Sequence, residues 1–201
     1  METVWKYIIF MLKDSLKYFQ GGCIWAAGIT IVVLVGMLIW RFALHKKVGT
    51  VEWFRILPLF FLIVYIYCVL QLTVFSRKPG NYGGIDMRFL AKWDEWYGEK
   101  AYLISNIIMF LPFGLLLPML SQWTKHIILS LPVAVLCSVG IEAVQLKYQL
   151  GFCQLDDVVA NSVGFLIGFL VFLILYDVYQ VVVFLYHRIV LLMQKKGLKN
   201  S

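Results

Sequence analysis

Glu142, Gln145, Asp156, Asp157 and Asn161 put five acidic or amide side chains at the end of one apolar run, across a short loop and at the start of the next. Such groups are costly to bury at membrane depth, and those kept there pair with one another or serve a function. Helical spacing sharpens the set. Glu142 and Gln145, three apart, share a face, as do Asp157 and Asn161, four apart. The chemistry open to them is hydrogen bonding to a polar ligand, acid or base work at Glu142 or Asp157, or oxygen ligation of a divalent cation by Glu142, Asp156 and Asp157. Arg77 adds a planar donor for phosphate or carboxylate at headgroup depth, and Asn106 adds another amide. Each has a plainer role beside this one. Arg77 can snorkel to lipid phosphate or pair with an acid. Glu142 can bond Arg77 or Asn106, Gln145 and Asn161 can tie helices together, and the aspartates can cap a helix.

Other chemistries lack their parts. His45, His126 and His187 lie in loops or the tail on the opposite face, so zinc has no cluster of nitrogen or sulfur ligands. Ser105, Ser138 and Cys153 have no histidine base nearby, which leaves nucleophilic catalysis unsupported. Cys23, Cys68, Cys137 and Cys153 show no C-x-x-C spacing and read as small packing residues. No cofactor is expected beyond the divalent cation that the acids admit.

The elements that must hold these groups are membrane helices. The 201 residues are 62% hydrophobic and 14% charged, with a mean hydropathy of +0.83, far from a soluble composition. A spanning helix needs about 20 apolar residues, and five stretches qualify: Cys23 to Phe42, Ile56 to Phe75, Leu103 to Leu120, Ile127 to Leu146 and Val158 to Tyr176. The expected fold is all-α, a polytopic membrane helical bundle of about five transmembrane helices plus interfacial helices. Residues 1–22 read as an amphipathic interfacial segment rather than a cleaved signal, since Lys6, Lys13, Asp14 and Lys17 interrupt the apolar run. Residues 23–55 form the first span and a basic loop. Ile85, Phe89, Trp93 and Trp96 recur at helical spacing in the linker after the second span and predict a helix lying on the membrane. Residues 177–201 are a basic tail whose apolar part, Val178 to Met193, extends the fifth helix or lies on the surface.

With five alternating spans, the end of the second, the start of the third, the end of the fourth and the start of the fifth share one membrane face. Arg77, Asn106, Glu142, Gln145, Asp156, Asp157 and Asn161 occupy those places and are expected to converge. Gly164 and Gly168 continue the Asn161 stripe as a G-x-x-x-G pair that permits close approach, with the fourth helix nearest in sequence. Pro112 and Pro118 in the third span favour a kink that opens a pocket, and Gly114 between them is a helix-packing residue beside Gly164 and Gly168.

Three segments carry a resemblance. Asn106-Ile-Ile-Met-Phe-Leu-Pro112-Phe113-Gly114 resembles the Asn-x-x-x-Phe-x-Pro-Phe-Gly core of the VanZ-like family. Ile141-Glu142-x-x-Gln145, followed by Leu155-Asp156-Asp157-Val-x-x-Asn161-x-x-Gly164-x-x-x-Gly168, resembles its second half, and Tyr65 to Arg77 its opening helix. The family's four helices would occupy residues 56–176. Gly151-Phe152-Cys153-Gln154-Leu155 departs from the Arg or aromatic-acidic lead-in that members often carry before the Asp pair. The resemblance implies a bacterial membrane protein linked with reduced susceptibility to teicoplanin-type lipoglycopeptides, and brings no settled reaction.

The expected function is therefore non-catalytic: an outward polar pocket binding an anionic or amphiphilic envelope ligand, such as a lipid-linked cell-wall intermediate or a lipoglycopeptide. Arg77 meets the anionic group, and Glu142, Asp157, Asn106 and Asn161 shape the cavity. The alternatives are an intramembrane enzyme acting on a polyprenyl or phospholipid headgroup and, third, a small transporter, for which no inverted repeat is visible. Membrane lipids are the expected partners. The net charge of +7 suits anionic lipid, whereas the scattered basic residues do not make a nucleic-acid surface. The glycine pair would serve a homo-oligomer as readily as one chain. The short basic loop Arg41 to Arg55 and the tail with Arg188, Lys195, Lys196 and Lys199 share a face, which the positive-inside rule assigns to the cytoplasm. The polar cluster is then extracytoplasmic and the C-terminus cytoplasmic.

Overall fold

Five helices carry the chain in the computed structural model, which describes residues 2–42, 55–80, 84–89 and 97–199. They are α1 (Glu2–Phe42), α2 (Ile56–Leu70), α3 (Tyr97–Leu120), α4 (Ile127–Lys147) and α5 (Leu155–Lys199). All five are long and apolar enough to cross a membrane, making this a multi-pass membrane protein. α2 continues into a π-helical turn, Gln71–Phe75, and a short 3-10 turn, Trp123–Lys125, joins α3 to α4. Large apolar side chains such as Ile24, Ile128, Leu136 and Leu170 stand exposed on the outside. That surface is stable only against lipid.

Two helices are longer than expected. α1 runs unbroken through the boundary at residue 22, so the N-terminal stretch and the first span are one continuous helix. The reason lies at Gly21 and Gly22, where a turn would be expected to end a helix. There α1 instead closes on α2, and a Cβ at Gly21 would come 2.7 Å from the Tyr67 hydroxyl and one at Gly22 3.1 Å from Val64 Cγ1. α5 runs 45 residues, about 67 Å at 1.5 Å per residue. Val178 to Met193 is its direct continuation. Lys125 Nζ sits 4.3 Å from the Tyr176 ring centre, marking the level at which α5 passes the α3–α4 turn.

The core is aromatic. Phe110, Phe113, Phe165 and Phe169 are buried with Leu62 and Ala134. Tyr65 of α2 stacks on Phe113 of α3 at 5.9 Å, Phe113 meets Phe165 of α5 edge-on at 5.6 Å, and the row continues through Phe169 and Phe172 to Tyr176. Its first three rings tie α2, α3 and α5 together, and the rest run along α5.

The glycine stripe of α5 packs on α3, not on α4. A Cβ at Gly164 would run into the backbone of Ile107, one at Gly168 into that of Leu111, and one at Gly114 of α3 into that of Phe165. Sequence proximity misleads here because α4 brings its own small face, Ser130, Ala134 and Ser138, all buried at four-residue intervals. α3 and α5 are parallel and meet backbone to backbone.

The linkers at the polar end form a two-residue parallel ladder, β1 (Ile85–Asp86) on β2 (Cys153–Gln154). Ile85 is therefore extended rather than helical. Of the helix expected at Ile85 to Trp96, the part from residue 90 to 96 lies outside the described residues, as does most of the basic loop Arg41 to Arg55.

Candidate functional site

The polar residues of the four helix ends meet at one face, in pairs. On α4, Glu142 follows Ser130, Ala134 and Ser138 on the buried stripe and is 3% exposed, with Gln145 buried beside it. Gln145 Nε2 donates to the Thr73 carbonyl at 3.1 Å. This supplies a donor to a carbonyl in the π-helical end of α2, where the helix is running out of its own donors. Glu142 Oε2 accepts the Gln154 backbone N–H at 3.0 Å, so the carboxylate anchors β2. Asn161 Nδ2 donates to Ser138 Oγ at 2.9 Å, joining α5 to α4, and Asn106 Nδ2 donates to Asp157 Oδ1 at 2.6 Å, joining α3 to α5.

Asp156 and Asp157 occupy the first turn of α5, where their charge complements the helix dipole. Asp157 and Arg77 both act electrostatically on Glu142. Around Cys153, burial and then the Glu142 and Asp157 carboxylates push the thiol pKa up. Among the described residues no group of three His, Cys, Asp or Glu is placed to hold a metal ion.

The chain between α4 and α5 is held at several points. Leu150 N–H donates to the Gln145 carbonyl, Gly80 N–H to the Gln149 carbonyl and Cys153 N–H to the Gly84 carbonyl. Gln149 takes a positive φ of 55°, turning the chain back over α4. Gly151 then lies under the Arg77 guanidinium: a Cβ there would come 3.0 Å from Nη1 and 3.4 Å from Gln145 Oε1. Any larger residue would push against Arg77.

Arg77 takes no part in the hydrogen-bonded pairs and reaches the other six through its electrostatic effect on Glu142. Its side chain is exposed and, among the described residues, makes no ion pair or hydrogen bond. It lies at one end of a cavity of about 870 Å³ between α2 and α4, floored by Phe110 and Phe113 of α3. Asn106, Glu142, Gln145, Asp156, Asp157 and Asn161 do not line this cavity. Nor does it open at Pro112 or Pro118; it follows the seam between α2 and α4. The cavity, the Thr73 carbonyl and the β1–β2 ladder have no simple motif in the sequence. The one readable signal was the four-residue stripe Ser130, Ala134, Ser138, Glu142, which marks the buried side of α4.

The site thus has two parts, a bonded polar bracket and an apolar groove headed by a cation. No curated protein and no solved structure matches the chain. The VanZ/LLP1 family model matches residues 31–176, from the last third of α1 through the aromatic row of α5. That stretch holds every residue of both parts, and the chain belongs to the VanZ/LLP1 family.

Proposed function

We propose that this protein binds an anionic amphiphile of the cell envelope at Arg77, and that this binding lowers susceptibility to teicoplanin-type lipoglycopeptides in a bacterial host. One observation supports the reading above others: an exposed guanidinium that makes no ion pair or hydrogen bond among the described residues, and feels Glu142 only electrostatically, heads an apolar groove. A planar cation at headgroup depth suits phosphate or carboxylate, and the groove suits hydrocarbon. The remaining polar residues act as brackets that hold the groove's head in shape. Glu142 and Asp157, the acids an enzyme would use, are each engaged in a hydrogen bond within the protein.

The face carrying Arg77 is the extracytoplasmic one in this reading, since the positive-inside rule puts the basic loop after α1 and the basic tail in the cytoplasm. Replacing Arg77 with Ala is expected to restore lipoglycopeptide susceptibility in a host made resistant by the protein, at unchanged protein abundance. Unchanged susceptibility at equal abundance overturns the proposal.

A further inference from the structure

The groove has a length, a depth and a charge, and together they define its occupant. On α4 it runs from Cys137 to Tyr148 and on α2 from Tyr65 to Phe75, just before Arg77. At 1.5 Å per residue these stretches are about 15 Å long. That is half of a hydrocarbon core about 30 Å thick, the depth of one leaflet. The walls between are aliphatic, chiefly Val69, Leu70, Ile141 and Val144. Ile66, Leu70, Cys137 and Gly140 are also exposed, so the groove opens sideways between α2 and α4 to the surrounding lipid. Its volume of about 870 Å³ falls in the upper part of the usual ligand range, about 300–1,000 Å³.

The headgroup end is cationic. Arg77 lines it, Lys78 stands exposed beside Arg77, and Lys147 Nζ lies 5.6 Å from the ring centre of Tyr148, itself a lining residue. Glu142, which also attracts Arg77 electrostatically, holds the Gln154 N–H, and Asp157 accepts from Asn106. Gly140 carries the remaining clue. It lines the groove, and a Cβ added there would meet nothing within 4 Å.

We infer that the groove holds one hydrocarbon chain of an anionic membrane phospholipid drawn sideways from its own leaflet, with the lipid phosphate on Arg77. The inference rests on the amphiphile-binding reading above and names the class of ligand. A chain lying in the seam fills space that neither helix fills, and the phosphate supplies the hydrogen-bond acceptor that Arg77 lacks among the described residues. An incoming lipoglycopeptide with its own hydrocarbon tail would then compete with a resident lipid rather than enter an empty site.

The test uses the full chain reconstituted in phosphatidylcholine vesicles doped with phosphatidylglycerol carrying a photoactivatable diazirine midway along one chain. Mass spectrometry of the crosslinks is expected to place label on Ile66, Leu70, Ile141 and Val144 in excess over Leu170 and Ile174 on the outside of α5. Gly140→Phe should reduce the groove labelling several-fold while leaving the melting temperature unchanged. Arg77→Gln should lower the preference for phosphatidylglycerol over a matched phosphatidylcholine probe by about tenfold, because a charge-assisted contact is lost. Label spread evenly over lipid-facing positions, or groove label indifferent to Gly140→Phe, overturns the inference. Equal labelling by both probes overturns its anionic part. If Arg77→Ala still restores drug susceptibility while groove labelling fails, the lipid assignment falls and the proposed function stands. Groove labelling with no effect of Arg77 on susceptibility gives the reverse.

Discussion

Replacing Gly168 with Ala adds a single methyl group at the place where α3 and α5 touch backbone to backbone, and that methyl overlaps the Leu111 carbonyl and approaches Leu115 N. Neither is the end of a flexible side chain. The helices must move apart, which loosens the neighbouring contacts of Gly164 with Ile107 and Gly114 with Phe165. Overpacking of this kind costs about 1–3 kcal/mol, against which Ala regains about 0.5–1 kcal/mol of helix propensity. The net expectation is a loss of up to about 2.5 kcal/mol. At about 2–4 °C per kcal/mol for a chain of this size, the melting temperature falls by up to about 10 °C. Gly36→Ala provides the control, since a Cβ there meets nothing within 4 Å and only the propensity gain remains. Thermal unfolding in a single detergent, followed by intrinsic fluorescence, compares the two. If Gly168→Ala melts at or above the temperature of Gly36→Ala, the α3–α5 seam is not a close backbone contact and the bracket built on it is wrong.

Other expectations follow from the bracket and its loop. Glu142→Ala strips the acceptor from the Gln154 N–H and should cost about 1–3 kcal/mol, whereas Glu142→Gln, which keeps an oxygen in reach, should cost much less; equal losses in a detergent melt would mean that the carboxylate's charge, not its hydrogen bond, holds the loop. Cys153 has its thiol pKa pushed up by burial and by Glu142 and Asp157, and only the thiolate reacts. An impermeant maleimide added to intact cells should therefore modify it slowly near neutral pH and about tenfold faster per pH unit above that, until the raised pKa is reached. A rate flat with pH contradicts the electrostatics, and protection until the cells are opened reverses the proposed sidedness.

The spans were legible because lipid leaves few options. A run of about 20 apolar residues must satisfy its own backbone, and only a helix does so. The meeting of four helix ends at one face follows from alternation alone, and Asp157 with Asn106 and Asn161 with Ser138 pair there. What the sequence hid is pairing by shape. Gly164 and Gly168 announce close approach but not the partner, and α3 won over α4 because Gly114 answers them while α4 offers serines and an alanine. Ile85 looked helical because its spacing with Phe89 suits a turn of helix, yet its backbone is taken by Cys153 in the ladder. The groove escaped notice for a related reason. Its walls are ordinary aliphatic residues whose periodicity is that of any membrane helix, and only Arg77 at its head carried a signal.

The ladder also sets an order of assembly. Ile85 and Cys153 are 68 positions apart, with α3 and α4 between them, and β2 is held by Glu142 and followed directly by α5. Helices that enter the bilayer one after another can each be stable alone, but this strap cannot close until the fourth has been threaded and the fifth has begun. A nascent chain therefore lacks the closed strap, and the proposed headgroup seat is complete only in molecules whose insertion is finished.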